Sequence, residues 1–190
     1  MTSTSSDPLP PRGGAWIRRR WPLLVGIALV SVALGLGVRY VARQSAIDDH
    51  FDLAQSYLTR HDYPAAARTL QALLDLSPED PRAHWLLAQT LIKLGQGDAA
   101  TEVIIRARTL GLTEDTREFE LRALLLRGKA EDAWARLATV RDIEQRPGLH
   151  ILRADTALLL GRIADARADY DALVETNEVA SRAHLGLARV

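Results

Sequence analysis

The feature that most limits the fold of this 190-residue chain is a repeat with a period of 33 to 34 residues. Three segments align on a glycine that separates two apolar, helix-like stretches, and these glycines, Gly95, Gly128 and Gly161, are 33 residues apart. His61 lies 34 residues before Gly95 in a segment of the same pattern. A unit this short cannot bury its apolar face alone, so the copies must stack on their neighbours.

Two further columns keep the same register. Five positions after the turn residue, every copy has an alanine, and these are Ala66, Ala100, Ala133 and Ala166. Seven positions before it, three of the four copies have alanine and the other has Leu121. Because small side chains at a crossing let two helices approach closely, we expect pairs of helices packed in a row.

The period, the central turn and the small-residue columns resemble the tetratricopeptide repeat, a helix-turn-helix unit that stacks into a solenoid. The resemblance covers about residues 47–190 and implies an all-α fold. In the first repeat we expect helices from Asp48 to Arg60 and from Pro64 to Leu76, and Pro81 is suited to begin the next helix. The predicted repeats are 47–80, 81–113, 114–146 and 147–180, with a partial fifth at 181–190.

The last residues repeat an earlier segment. SRAHLGLARV at 181–190 is similar to PRAHWLLAQT at 81–90, so the sequence ends within the first helix of a new repeat. A solenoid needs a polar cap over its last apolar face. We therefore expect this sequence to belong to a longer protein.

The resemblance also implies a binding surface. In this family the first helix of each repeat lines a groove that holds an extended peptide or a partner's helix, through positions five, nine and twelve of the repeat. Aromatic and arginine side chains commonly anchor interfaces, which favours Phe51, Trp85 and Arg122 as partner contacts. The alternative for the two aromatic rings is packing between helices. The candidate groove residues are Phe51, Gln55, Leu58, Trp85, Gln89, Ile92, Glu118, Arg122 and Asp155.

The N-terminal segment has a different composition. Ser, Thr, Pro and Gly dominate its beginning and leave almost nothing to bury, which predicts a disordered cytoplasmic tail over residues 1–17. Three arginines at 18–20 precede Trp21 to Val38, which contains no charged residue. A helix of that length spans about 27 Å, close to the hydrocarbon thickness of a bilayer. We therefore predict a transmembrane helix with basic flanks over residues 18–43, in contact with the membrane at 21–38.

The net charge of the sequence changes sign near residue 46, where the composition also changes. Residues 1–46 hold six arginines and one aspartate (6 − 1 = +5), and the remaining residues hold 18 basic and 23 acidic side chains (18 − 23 = −5). Four arginines precede the apolar run and two follow it, so we expect a single-pass protein of the inner membrane with a cytoplasmic N-terminus and periplasmic repeats.

A cleaved signal peptide is the alternative, although Arg39, Tyr40 and Arg43 stand where small residues would mark a cleavage site. The spacing of Ala33 and Gly37 favours weak self-association of the helix.

The sequence contains no motif of an enzyme. It has no cysteine, no GxxxxGK[ST] phosphate loop, and no HExxH or GxSxG motif. Four of the five histidines recur at the fourth position of a repeat, so stacking would space them along the solenoid. We therefore expect no catalytic residues, no cofactor and no metal site. The acidic repeat region gives no reason to bind nucleic acid.

Together these features predict a membrane-anchored scaffold for protein–protein interactions in the bacterial cell envelope, within an assembly, secretion or export complex. Its expected partners are proteins or peptides held in the groove. The alternative is a substrate-recruiting region of a longer membrane-bound enzyme whose catalytic domain follows Val190.

Overall fold

In a computed structural model of the chain, the structure describes the backbone of residues 14–190 and the side chains of residues 25–190. Every regular element in this range is helical, and the predicted all-α helical fold is confirmed. Residues 1–13 of the predicted tail at 1–17, and the side chains of the arginines at 18–20, lie outside the described residues, whereas residues 14–17 belong to the first helix. The α-helices are α1 (Gly14–Thr59), α2 (Tyr63–Leu76), α3 (Pro81–Lys93), α4 (Gly97–Thr109), α5 (Arg117–Leu126), α6 (Ala130–Leu137), α7 (Pro147–Leu159), α8 (Ile163–Leu173) and α9 (Ala180–Leu187), with a short 3-10 helix at Ile143–Gln145.

The chain divides between Ala46 and Ile47 into two compact units. In the first unit, the large apolar side chains from Val25 to Val41 are 41–70% exposed. The stretch Val25–Thr59 is the one part of the described chain that is long and apolar enough to cross a membrane, and none of its apolar window is buried.

In the second unit, each helical pair turns at a residue with positive φ. Gly95, Gly128 and Gly161 have φ of 75°, 72° and 70°, a conformation that glycine adopts without steric cost, and His61 has φ of 60°. The next amide donates to the carbonyl five residues before it at 2.9–3.0 Å, as in a Schellman cap. The residue on which the sequence repeat aligns is thus the one that ends the first helix of each pair.

The helix starts in the first two repeats follow from proline and aspartate. The Asp80 carboxylate accepts hydrogen bonds from the amides of Arg82 and Ala83 at 2.8 and 3.3 Å, and Pro81 begins α3 as predicted. Asp62 caps α2 by accepting from the Ala65 amide at 3.1 Å.

The alanine columns lie at the centre of the core. Larger side chains, such as Leu70, Leu73, Ile104 and Leu152, fill the space around them. Helices of one repeat, and of successive repeats, therefore meet where the side chains are smallest. The column residues with 0% exposure are Ala54, Ala66, Ala88, Ala100, Ala133, Ala154 and Ala166.

The third repeat departs from this regularity. Helix α6 has only eight residues, and the connection to α7 contains a 3-10 helix preceded by Asp142, whose φ is 55°. Ile143 in this connection is 4% exposed and packs in a core cluster with Leu121, Leu137 and Leu149. The period is kept because a longer connection replaces the missing helical turn.

Replacement of Gly97 tests the close approach of successive repeats. A Cβ at this position would lie 2.8 Å from both the Ala123 carbonyl oxygen and the Leu126 Cβ, closer than packed atoms allow. We expect Gly97→Ala to lower the free energy of unfolding by about 1–3 kcal/mol, although alanine favours helix. Urea unfolding of the chain in detergent micelles, followed by circular dichroism, measures this change.

The matched control is Gln96→Ala, at a neighbouring exposed residue whose side chain makes no cap hydrogen bond. It should change stability by less than about 0.5 kcal/mol. Equal stability of the Gly97 variant and the wild type would contradict the close packing of α4 on α5.

Candidate partner-binding surface

The candidate groove residues lie on the first helices of four repeats, in the C-terminal part of α1 and in α3, α5 and α7. Gln55 is exposed, and Leu58 and Gln89 are half-buried. Ile92 is only 9% exposed and belongs to the first core cluster. The two glutamines therefore offer amide groups to a partner, whereas Ile92 offers little surface.

The aromatic groove residues take part in packing. Phe51 and Trp85 are half-buried and pack against the first core cluster, as in the alternative interpretation of these rings. Trp85 meets Phe119 of the next repeat edge to face, with centroids 4.7 Å apart, and the Arg82 guanidinium lies 5.6 Å from the Phe51 ring centroid. Both rings keep part of their surface exposed, so each could form the apolar floor of a site.

The charged groove residues of the third repeat are paired with each other. The Arg122 guanidinium donates from Nε and Nη2 to Glu118 Oε1 at 3.0 and 2.6 Å, and both side chains are about one third exposed or less. Gly148 at the start of α7 leaves room for the Glu118 carboxylate, which a Cβ at residue 148 would overlap. A partner carboxylate that binds Arg122 must therefore compete with Glu118.

Asp155, the groove residue of the fourth repeat, connects three helices. It accepts a hydrogen bond from the Tyr170 hydroxyl of α8 at 2.7 Å and forms an ion pair with Arg182 of α9. Tyr170 is 1% exposed, and its ring occupies the space left by Gly186. Burial, with the hydrogen bond to Asp155, raises the pKa of Tyr170 well above its ordinary value.

A buried charge cluster beside this site does not appear among the predicted groove residues. His150 and Asp169, 3% and 8% exposed, lie in contact between α7 and α8, with Nε2 and Oδ1 3.2 Å apart. Arg153 donates to both Asp169 oxygens, at 2.8 and 2.5 Å, and this bond raises the pKa of the guanidinium. The repeat position of His150 predicts packing, but no feature of the repeat pattern indicates which acid contacts it.

Metal-binding side chains do not converge in the part of the chain that the structure describes. No group of three or more His, Asp or Glu side chains there is placed to hold a metal ion. In the cluster of His150, Arg153 and Asp169, the third side chain is the positively charged Arg153 guanidinium, which is not a metal ligand.

Comparisons with known proteins agree with the helical pairs. Models of the tetratricopeptide repeat match residues 57–109 and residues 151–190. The segment between these matches contains the short α6 and the 3-10 helix. No curated protein matches the chain. The matches support a tetratricopeptide repeat protein, and such repeats are typically interaction modules without catalytic activity.

The buried hydroxyl of Tyr170 predicts a pH dependence. An unfolded tyrosine has a pKa of about 10, so above that pH unfolding releases a proton that the folded chain retains. The contribution is fully present below pH 10, and above it we expect stability to fall by about 1.4 kcal/mol per pH unit. Urea unfolding at pH 8, 10 and 11 measures the decline.

The Tyr170→Phe variant should lack this alkaline fall in the free energy of unfolding. At pH 8 it should be less stable than the wild type by about 1 kcal/mol, because it loses the hydrogen bond to Asp155. Tyr63→Phe, at the start of α2, is the control and should retain it. The same alkaline decline in the Tyr170 variant as in the wild type would show that this hydroxyl is not buried as described.

Proposed function

We propose that this chain is a membrane-anchored scaffold that gathers partner proteins at the inner membrane of a bacterium. The observation that carries the proposal is an exposed apolar helix in the same chain as tetratricopeptide repeats whose first helices present amide and aromatic side chains. We propose periplasmic repeats and a cytoplasmic N-terminus because more arginines precede the apolar run than follow it.

The exposed side chains of α1 support the anchor. Burying one Val, Leu or Ile side chain gains about 1.5–3 kcal/mol, so a continuous series of them is costly in water. Large exposed apolar surfaces mark membrane or protein interaction sites. A bilayer around α1 would cover these side chains together: Val25, Ile27, Leu29, Val30, Val32, Leu34, Leu36, Val38 and Val41.

The amides of the first two repeats support peptide binding. An extended peptide presents unpaired backbone N–H and C=O groups, and a glutamine side chain can satisfy either of them. Gln55 and Gln89 offer such amides, and the partly exposed rings of Phe51 and Trp85 offer apolar contact area. We propose that a partner segment lies across these two repeats, with its polar backbone on the amides and its apolar side chains on the rings.

The anchor and the repeats would act together through local concentration. A partner that is held at the same membrane meets the repeats at a raised effective concentration, so modest contacts along the first helices are sufficient for capture. Scaffolding of this kind requires no chemistry from the chain itself.

Site-specific photo-crosslinking in living cells tests the groove. A photoreactive residue at Gln55 or Gln89 should form adducts with partner proteins, because both positions face the proposed ligand. The same residue at Gln71, an exposed glutamine of the second helix α2, is the matched control and should form few. Adducts from Gln71 at equal yield, or none from the groove positions, would contradict the assignment.

A phosphatase fused after Arg60 tests the anchor and its orientation. The fusion should be active and remain in the membrane fraction, with the intact mass of an uncleaved N-terminus. Leu34→Arg should reduce membrane retention, since an arginine at the middle of the span costs about 2.5–3.5 kcal/mol. Gln55→Arg in the same helix lies outside the series of exposed apolar side chains from Val25 to Val41 and should have no such effect.

An inactive phosphatase with a fluorescent cytoplasmic reporter at the same position would overturn the orientation. A mass that lacks the apolar segment would identify a cleaved signal peptide instead of an anchor.

A further inference from the structure

A second surface lies in the third repeat and is lined by none of the candidate groove residues. It is a cleft of about 530 Å³ between α5 and the irregular connection that follows α6. Its volume is in the range of sites that hold a small ligand or a few side chains. Four arginines, two apolar residues, two acids and a threonine line it: Arg117, Arg136, Arg141, Arg146, Leu121, Val140, Glu120, Asp142 and Thr139.

Two of these arginines, Arg117 and Arg146, are already paired with one acid, Asp115. Asp115 accepts from Arg117 Nη2 at 2.5 Å and from Arg146 Nη1 at 2.9 Å, so one carboxylate is shared by two guanidinium groups. The hydrogen bond from Arg117 is the main cause of an Asp115 pKa well below its ordinary value. The Asp115 carboxylate, which binds two arginines of the cleft, is therefore ionised and already engaged with both of them.

Glu120, an acid on α5 that lines the cleft, is similarly engaged. Its Oε1 accepts from the Arg108 guanidinium at 3.0 Å and from the Thr116 hydroxyl at 2.6 Å. Its charge is therefore already paired with that of Arg108, which does not line the cleft.

Arg136 and Arg141 line the same cleft. Both are exposed, and neither side chain has an ion-pair or hydrogen-bond partner within the described residues. The cleft and its paired neighbours hold five arginines and three acids, Asp142 included, an excess of two positive charges on a unit whose balance is −5. Unpaired guanidinium groups beside an apolar surface are suited to a carboxylate with an aliphatic neighbour.

We propose that this arginine cleft binds an acidic segment of a partner protein, in which an Asp or Glu side chain stands beside an aliphatic residue. The carboxylate would accept hydrogen bonds from Arg136 and Arg141, and the aliphatic side chain would contact Val140, the half-buried apolar residue of the cleft. The negative balance of the whole unit opposes a long polyanion, which favours a short protein segment. This site goes beyond the groove because it uses none of the groove residues.

Fluorescence anisotropy with defined peptides tests the cleft. The 190-residue chain in detergent micelles is titrated into labelled heptapeptides that contain a central Leu-Glu-Leu or Val-Asp-Val between Gly and Ser flanks. At physiological ionic strength at least one acidic peptide should bind. The counterpart peptide with Gln or Asn in place of the acid should lose at least about tenfold in affinity. Arg136→Gln with Arg141→Gln should cause a loss of similar size.

Two controls separate this site from general charge and from the groove. Arg106→Gln with Arg167→Gln removes two exposed arginines of α4 and α8 that also lack partners within the described residues, and should leave peptide affinity unchanged. Gln55→Ala with Gln89→Ala, in the groove, should also leave it unchanged, so failure of the groove and failure of the cleft are distinguishable.

Three results would overturn the proposal. One is the absence of binding by every acidic peptide. Another is an equal loss of affinity in the Arg106 and Arg167 control, which would reduce the effect to net charge. The third is displacement of the peptides by inorganic phosphate at lower concentration than by free glutamate, which would identify a phosphate ligand instead.

Discussion

The close approach of helices at the two alanine columns is the constraint on which the rest of the repeat unit depends. Their seven alanines have no exposed surface, and the side chains that fill the core are arranged around them. Because interiors are packed as densely as crystals, a larger group at such a crossing separates the helices. These contacts set the positions of the first helices, and therefore of the groove residues that those helices carry.

Packing at the crossings also decides which surface side chains can meet. Asp155 reaches Tyr170 and Arg182 because α7, α8 and α9 come together there, and Gly186 leaves room for the tyrosine ring. Glu118 reaches over Gly148 while it holds Arg122. In the last two repeats the charges on the first helices are thus part of the internal structure, whereas in the first two repeats the glutamines remain available.

The sequence predicts the fold more fully than the site, and the reason is physical. A period, a turn glycine and small-residue columns are local or regularly spaced, so the helical pairs could be placed from them, and α2 begins only one residue before its predicted start. Pairs such as His150 with Asp169 depend on the rotation of one helix against another, which the period does not specify. The short α6 could not be predicted either, because the period sets the length of a repeat but not the length of each helix within it. The contact of Phe119, one position beyond the groove column, with Trp85 also depends on how one helix is rotated against the next.

We propose that partner proteins bind the first helices of the repeats. Hydrogen exchange of the membrane-bound chain, with and without a crosslink-identified partner, tests this most directly because it reports every helix at once. We expect slower exchange on binding in α3 and in residues 47–59 of α1, with α2 and α4 unchanged. Slower exchange confined to α2, α4 and α8 would contradict it, since the partner would then bind the second helices.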